Sequence, residues 1–183
     1  MDNYLTTERL ELRWLTPADV DDLVALDADP EVMRYLTGGV PTRRETVERN
    51  LLDGCDREAG YGRWAATEKG SGAFVGWFAL SRPAGTPPGE AELGYRLRRA
   101  AWGRGYATEG SRALLHKAFT ELGTRRVWAE TMFVNTRSRR VMERSGLRFV
   151  RVFHVHFDDP LPGTEHGEVE YAITREEWES GRS

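Results

Sequence analysis

The alternation of apolar and polar residues is clearest in the stretch from Ala91 to Leu122. Apolar residues occupy every second position up to residue 97, which predicts a strand over Glu92–Arg98. A loop with two glycines follows, and from about Gly105 or Tyr106 apolar residues recur at helical spacing until a glycine at 123. This stretch therefore predicts a strand, a glycine loop and an amphipathic helix, around which the rest of the chain is arranged.

The same patterns predict the other elements of a mixed α/β protein. Six further strands are predicted, over residues 7–14, 61–67, 73–80, 126–132, 147–157 and 168–173. Helices are predicted over residues 17–26, 30–36, 42–57 and 136–146, and Thr174 is placed to cap a final helical turn. Strands interspersed with helices indicate one sheet with helices on its faces, and 183 residues indicate a single domain over 1–183.

Composition excludes several classes of protein. Hydrophobic residues make up 39% and charged residues 30%, and no apolar run approaches the roughly 18 residues of a membrane helix. The first residues lack the basic and apolar regions of a secretory signal, so a cytoplasmic protein without a membrane partner is expected. The lone cysteine, Cys55, excludes an internal disulfide and a cysteine-rich zinc site. A homodimer is expected only from the frequency of soluble oligomers.

Charge is distributed unevenly along the chain. Residues 96–151 contain 14 Lys and Arg but four Asp and Glu, whereas the rest of the chain contains 12 and 25. Because the acidic remainder would repel nucleic acid, no nucleic-acid partner is expected. A basic centre in an acidic chain fits a small polyanionic ligand better.

The glycine loop, residues 102–108, is the candidate site for that anion. The first turn of a helix has unpaired N–H groups and partial positive charge, and glycine lets a ligand approach the backbone closely. Together these features favour a phosphate site. The alternative is a tight strand-to-helix turn that needs glycine for its geometry alone, and the loop by itself does not decide between them.

Several motifs resemble the GNAT N-acetyltransferases, in particular the branch that acetylates the N-terminal alanine or serine of ribosomal proteins. They are TERLELR at 7–13, ELGY at 92–95, GRGYATEG at 103–110, NTRS at 135–138, ERSGLRF at 143–149 and EYAITREEW at 170–178. The resemblance implies a twisted, mostly antiparallel sheet of about seven strands, splayed in the middle and covered by helices on both faces. It also implies direct acetyl transfer from acetyl-CoA to a primary amine, either a protein N-terminus or a small molecule.

The resemblance assigns the cofactor site residue by residue. The family's loop pattern falls on Trp102, Gly105 and Ala107, with Trp102 in place of the usual Arg or Gln. The pantetheine arm is expected between residues 95–98 and 127–132. The full set of expected acetyl-CoA contacts is Tyr95, Leu97, Trp102, Gly103, Arg104, Gly105, Tyr106, Ala107, Thr108, Asn135 and Ser138.

Acyl transfer to an amine needs a proton acceptor, an oxyanion donor and an acid for the leaving thiolate. The resemblance makes Glu92 the first candidate base, because the family often has a glutamate on this strand. Glu130 on the neighbouring strand is the second candidate. An outward-facing strand carboxylate without a chemical role remains the alternative for Glu92.

The candidate acid is Ser138, which matches a serine given that role in the ribosomal branch. Many family members use a tyrosine on the same helix, but this chain has Met142 at that position, which cannot donate a proton. Tyr95 and Tyr106 are further candidates, and an ordinary helix-start hydroxyl is the alternative for Ser138.

Two groups of polar residues follow the last helix. His154, His156 and Asp158 alternate as if on one strand face, but an exposed edge strand explains them better than a metal site, and no metal is expected. An acidic set could instead attract a cationic amine, namely Asp158, Asp159, Glu165 and Glu168.

Two other functions remain open. A dinucleotide enzyme would share the strand, the glycine loop and the helix, but Thr108 occupies its third glycine position. A non-catalytic acyl-CoA sensor would share the whole cofactor site, and Met142 keeps that alternative open.

Overall fold

The computed structural model of the protein describes residues 3–51, 53 and 55–181. Within them, eight strands form one sheet in the order β1-β2-β3-β4-β5-β6-β8-β7. The strands are β1 Leu5–Thr6, β2 Leu10–Trp14, β3 Gly62–Glu68, β4 Phe74–Ser81, β5 Glu90–Leu97, β6 Arg126–Met132, β7 Arg148–Phe153 and β8 Glu168–Thr174. Strands β5 and β6 run parallel, and the other neighbours are antiparallel. The predicted mixed, mostly antiparallel sheet is confirmed.

The α-helices are α1 Val20–Asp27, α2 Pro30–Met33, α3 Arg44–Arg49, α4 Tyr106–Thr120, α5 Thr136–Ser145 and α6 Arg175–Ser180. Local signals set the ends of two of them. Asn135 accepts a hydrogen bond from the N–H of Ser138 at the start of α5, and Gly146 ends that helix with φ +103°. Thr174 caps α6 as the sequence predicts, and it does so in a reciprocal capping box with Glu177.

The sheet has eight strands rather than about seven, because the N-terminal segment forms a hairpin. The predicted strand over 7–14 begins only at Leu10, and Thr7–Arg9 form the turn to β1, with the N–H of Thr7 donating to the carbonyl of Leu10 at 2.9 Å. The carboxylate of Glu109 stabilises this turn by accepting hydrogen bonds from Thr7 Oγ1 and the Arg9 N–H. That partner lies 100 residues away, so the local alternation cannot reveal the turn.

Three other predicted elements are longer than the observed ones: two helices and the strand over 147–157. The helix over 42–57 is reduced to α3, and its positions Leu52 and Gly54 lie outside the described residues. The helix from Pro30 ends at Met33 in a series of turns.

Strand β7 ends at Phe153, which is paired with Glu168 at the first position of β8. Beyond this pair β8 offers no further partner residues. His154, His156 and Asp158 therefore do not lie on a strand, and the prediction that they alternate on one strand face is wrong.

Two apolar clusters cover opposite faces of the sheet. The larger packs α4 and α5 against β2–β6 and β8 and includes the fully buried Trp64, Phe78 and Leu114. The smaller packs α1 and α3 against the other face at Ala65 and Phe74. Helices on both faces are thus confirmed, whereas the single domain over 1–183 stays a prediction. No helix among the described residues is long and apolar enough to cross a membrane.

The sheet opens between its two parallel strands. Pairing of β5 with β6 covers only Glu90–Glu92 opposite Arg126–Trp128, while β5 stays paired with β4 up to Leu97 and β6 with β8 up to Met132. The remaining halves of β5 and β6 diverge, which confirms the predicted splay and creates a cleft.

Candidate active site

The cleft between β5 and β6 leads into a cavity of about 990 Å³. It is lined by the C-terminal halves of both strands, the glycine loop, the first turns of α4 and α5, and parts of segments 31–37 and 157–168. This volume is at the upper end of the range for small-molecule sites. All predicted site residues except Arg104 line the cavity, including Glu92 and Ser138.

The glycine loop has the backbone geometry of an anion site. Gly103 and Gly105 have φ of +73° and +83°, a region in which a side chain is strained. Gly105 is the N-cap of α4, so the free N–H groups of the helix's first turn begin at the loop, where Ala107 and Thr108 line the cavity. The α4 dipole adds partial positive charge there. The cradle therefore fits a phosphate group.

The side chains of the loop anchor it to its surroundings. Trp102 donates from Nε1 to the carbonyl of Leu97 at 2.9 Å, so this tryptophan ties the loop to the end of β5. The Tyr106 hydroxyl bonds to Glu68 at the end of β3, and Arg104 pairs with the same carboxylate at 2.8 Å. Because Glu68 holds its guanidinium, Arg104 does not line the cavity, and its predicted contact with acetyl-CoA stays a prediction.

The sequence reasoning missed the basic residues of α5. Arg137, Arg140 and Arg144 line the cavity, and the Arg137 guanidinium lies 4.0 Å from the centre of the Trp102 ring. These residues extend the positive side of the site beyond the loop. The signal that could have located them was the excess of Lys and Arg in residues 96–151.

A hydroxyl pair joins β5 to α5 in the middle of the cleft. The Tyr95 hydroxyl lies 3.0 Å from Ser138 Oγ and 3.1 Å from the Ser138 carbonyl oxygen. Burial raises the pKa of Tyr95 above its ordinary value, so the phenol remains protonated. Met142, which is buried, also lines the cavity and offers no proton there. The proton donors at this point of the cleft are therefore Tyr95 and Ser138.

Both the oxygen and the nitrogen of the Asn135 side-chain amide form hydrogen bonds. Its Oδ1 accepts from the Ser138 N–H at 3.2 Å, and its Nδ2 donates to Thr131 Oγ1 at 3.0 Å. One amide hydrogen remains for a ligand in the cavity that Asn135 lines.

Three carboxyl groups line the part of the cavity formed by β5, β6 and β8: Glu92, Glu130 and Glu168. Burial and the charge of Glu130 raise the pKa of Glu92, with Arg63 acting in the opposite direction. Burial raises the pKa of Glu130 and of Glu168 as well, and for each a neighbouring glutamate adds to the effect. Negative charge is therefore clustered at this side of the cavity, and it is offset only in part, by Arg63 at Glu92 and by Arg151 at Glu130.

Only half of the predicted acidic set belongs to the cavity. Asp159 and Glu168 line it, whereas Asp158 is fully exposed and Glu165 accepts a hydrogen bond from the Gly163 N–H. His156 lies 3.6 Å from Asp158, also in solvent. Across the described ranges, no group of three His, Cys, Asp or Glu residues is arranged to hold a metal ion.

Residues 9–148 match the family model described as an acetyltransferase (GNAT) domain, which covers most of the chain. The chain belongs to the GNAT acetyltransferase family. It is 40% identical over 183 aligned residues to the FsC-acetyl coenzyme A-N(2)-transacetylase of Aspergillus fumigatus, covering 95% of this chain and 77% of that protein. This GNAT chain is therefore an N-acetyltransferase that uses acetyl-CoA as its acyl donor, as predicted.

Solved structures give the same fold. A GNAT acetyltransferase from Bacillus anthracis is similar with a TM-score of 0.74 and 27% identity, over 94% of this chain and 98% of that one. A spermidine N-acetyltransferase from Vibrio cholerae in complex with CoA and spermine has a TM-score of 0.72 at 16% identity, over 92% and 97% of the two chains. The prediction of an N-acetyltransferase is therefore confirmed, and the dinucleotide enzyme and the non-catalytic sensor are not supported. The ribosomal branch is not shown.

Proposed function

We propose that this GNAT enzyme acetylates the primary amine of a small cationic molecule. The observation that carries the proposal is the opposite charge of the two sides of the cavity. The glycine loop and Arg137 supply positive charge at one side, and Glu92, Glu130 and Glu168 supply negative charge at the other. A polyanionic acetyl donor and a cationic acceptor would each be attracted to one side, with the reacting groups between them.

The residues on the basic side fit acetyl-CoA. The free N–H groups at the start of α4 would bind the pyrophosphate, and Arg137 would add a charged contact near Trp102. The pantetheine arm would lie in the splay between β5 and β6. The contacts proposed for it are Tyr95, Leu97, Asn135 and Ser138.

Glu92 is the proposed general base. An ammonium group must lose its proton before its nitrogen can attack the thioester carbonyl. The raised pKa of Glu92, caused by burial and by Glu130, brings this carboxylate closer to the pKa of an efficient base at neutral pH. The ammonium first gives one proton to Glu92, directly or through a water, and the lone pair of the neutral amine then attacks the carbonyl carbon to form the N–C bond. A strand N–H exposed by the splay would stabilise the oxyanion.

Ser138 and Tyr95 are proposed to supply the proton for the departing thiolate. As the C–S bond breaks, Ser138 Oγ would donate to sulfur and regain a proton from the Tyr95 hydroxyl 3.0 Å away, and the second proton released by the newly acylated nitrogen would return to Tyr95 through water. Tyr95 is suited to this relay because burial keeps it protonated. The first proton taken from the ammonium and the proton given to sulfur thus use separate groups.

The names of two relatives support a small acceptor. The Aspergillus relative is named for transfer from acetyl coenzyme A to an N(2) nitrogen, and the Vibrio structure contains spermine. A protein N-terminus is the second candidate, because the motifs at 103–110 and 135–138 resemble the ribosomal branch.

An acceptor screen that detects the freed thiol of CoA tests the proposal. The panel contains monoamines, diamines and polyamines of matched chain length, amino acids with a free α-amine, and peptides that begin with Ala or Ser. Turnover of small cationic amines is expected. Turnover of the peptides alone would contradict the proposal and support the ribosomal branch instead.

Charge-neutralising variants test the acidic side. Asp159→Asn and Glu168→Gln should each raise KM for a diamine about three- to tenfold, since each removes one partly screened attraction. They should leave KM for acetyl-CoA unchanged. Asp158→Asn is the matched control, because this carboxylate is exposed and lies outside the cavity. An unchanged KM for the diamine in both cavity variants would refute the electrostatic part of the proposal.

A further inference from the structure

The turn between β1 and β2 contacts the back of the glycine loop through one side chain. Arg9 donates from one terminal nitrogen to the carbonyl of Arg104 at 2.8 Å. Its Nε and other terminal nitrogen contact Glu109 Oε2 at 2.7 and 2.6 Å. The guanidinium carbon also lies 4.5 Å from the centre of the Tyr106 ring. Arg9 therefore joins the loop, the first turn of α4 and the N-terminal hairpin.

This contact fixes the direction of one loop peptide. A trans peptide is planar, so its C=O and N–H point in opposite directions, and the described residues contain no cis bonds. Arg9 lies outside the cavity lining and holds the carbonyl of Arg104, while Gly105 lines the cavity. The N–H of Gly105 belongs to the same peptide and is therefore directed away from Arg9.

The peptide needs such an anchor because glycines flank Arg104. Gly103 and Gly105 both adopt positive φ and carry no side chain that would resist rotation. If the peptide turned over, a carbonyl oxygen would face the cavity in place of an N–H. A carbonyl dipole repels phosphate, so a turned peptide would cost the site a donor and add a repulsion.

The anchor is itself held firmly by Glu109. This carboxylate accepts from Thr7 Oγ1 at 2.6 Å, from the Arg9 N–H at 2.8 Å and from the Arg9 guanidinium. Arginine is required because its planar fork reaches Glu109 and the loop carbonyl at the same time. A lysine ammonium is a single point on a flexible chain and does not hold both partners in this geometry.

We propose that Arg9 is a positioning residue for the pyrophosphate of acetyl-CoA: by holding the Arg104 carbonyl, it directs the Gly105 N–H into the cofactor cavity. The proposal rests on the proposed role of the glycine loop in binding that pyrophosphate. It assigns a cofactor-related role to the N-terminal hairpin, which does not itself line the cavity.

The test compares two acyl donors that differ in the 3′-phosphoadenosine diphosphate part of CoA, which includes the pyrophosphate. Acetyl-CoA contains it, and S-acetylpantetheine lacks it but presents the same thioester. Arg9→Lys should lower kcat/KM for acetyl-CoA about tenfold through KM, the loss expected for one hydrogen bond to a charged group. The variant should change kcat/KM for S-acetylpantetheine by less than about twofold, because its reacting groups are unaffected. Calorimetric titration with CoA should show the same tenfold weakening.

Arg13→Lys is the matched control. Arg13 lies on β2, forms a comparable two-pronged pair with Asp19 at 2.9 and 2.6 Å, and does not line the cavity. Its replacement should lower the melting temperature to a similar extent as Arg9→Lys but leave both donors equally active. Equal losses with both donors in Arg9→Lys, or no loss with acetyl-CoA, would overturn the proposal.

A variant in the glycine loop distinguishes failure of the Arg9 proposal from failure of the loop as the pyrophosphate site. Gly105→Ala places a Cβ at φ +83° and 3.3 Å from the Arg9 guanidinium, so it disturbs the loop directly. If Gly105→Ala discriminates between the two donors and Arg9→Lys does not, the loop binds pyrophosphate without help from Arg9. If neither discriminates, the glycine loop is not the pyrophosphate site.

Discussion

Replacing Gly110 with alanine measures how closely α4 packs on the sheet behind the cofactor cleft. A Cβ at position 110 would lie 2.3 Å from Cζ of Phe78, whose ring is fully buried on β4. Ordinary carbon contacts are about 3.5–4.0 Å, so the ring or the helix must move by about 1.2–1.7 Å. Alanine gains about 0.8–1.0 kcal/mol in helix propensity, but overpacking of this kind costs about 1–3 kcal/mol. The overlap with a buried ring places the cost in the upper part of that range, for a net loss of about 1–2 kcal/mol.

Thermal and denaturant unfolding measure this loss. For a chain of this size, 1 kcal/mol corresponds to about 2–4 °C, so the melting temperature should fall by about 2–8 °C. Ala113→Gly on the same helix is the control, because it reports helix propensity without the contact to Phe78. Combining Gly110→Ala with Phe78→Leu should cost less than the sum of the two single changes. A Gly110→Ala protein that melts at or above the wild-type temperature would refute the packing argument.

Three further predictions concern the site and its support. Glu92→Gln should lower kcat about a hundredfold at neutral pH and remove the acidic limb of the pH–rate profile. In the wild-type enzyme, this limb should lie above the ordinary carboxyl pKa, because burial and Glu130 raise the pKa of Glu92. Tyr95→Phe and Ser138→Ala should each lower kcat about tenfold with little change in KM, and a fall in only one of them would exclude the relay. Burial raises the pKa of Glu109, but hydrogen bonds donated by the β1–β2 turn outweigh it and leave this pKa below its usual value. Its stabilisation is therefore present above the unfolded pKa of about 4.3 and lost as pH falls further, so Glu109→Gln should cost about 1–2 kcal/mol at pH 7 in denaturant titrations and progressively less below that pKa.

Elements with local signals were predictable from the sequence. Strand β6 occupies the predicted residues, and α4 begins at the glycine loop because Gly105 supplies a left-handed N-cap. Helix α5 ends where Gly146 adopts φ +103°, which the sequence marks by its glycine. In each case the residues that determine the boundary lie within one turn of it, so a pattern along the chain contains the necessary information.

Elements that depend on distant partners were not predictable in the same way. The turn at Thr7–Arg9 is stabilised by Glu109, and the alternation through it looks like a continuous strand. Strand β7 stops where its partner β8 runs out, although its apolar alternation continues to Phe157. Periodicity reports which residues can form a strand, but the length of the partner determines which of them do.

The candidate site likewise contains features that local motifs predict and features that depend on distant partners. The glycine loop and the position of Ser138 near the start of α5 follow from local motifs, and both lie at the cavity. The side-chain partner of Arg104 is Glu68 in a different hairpin, so its direction could not be read from the loop itself. The grouping of Glu92 with Glu168 likewise depends on the order of β5, β6 and β8 in the sheet, which no local pattern contains.

The topology of the sheet explains why the site lies between β5 and β6. These are the parallel neighbours among the described strands, and a parallel connection requires a crossover, here through α4. The crossover helix must begin at the C-terminal end of β5, so its free N–H groups and positive dipole end lie where β5 has left β6. A hairpin between antiparallel strands cannot bring a helix N-terminus to such a place. The anion cradle, the opened strand edges and the carboxylates of β5, β6 and β8 therefore converge as a consequence of one parallel pair that separates after residue 92.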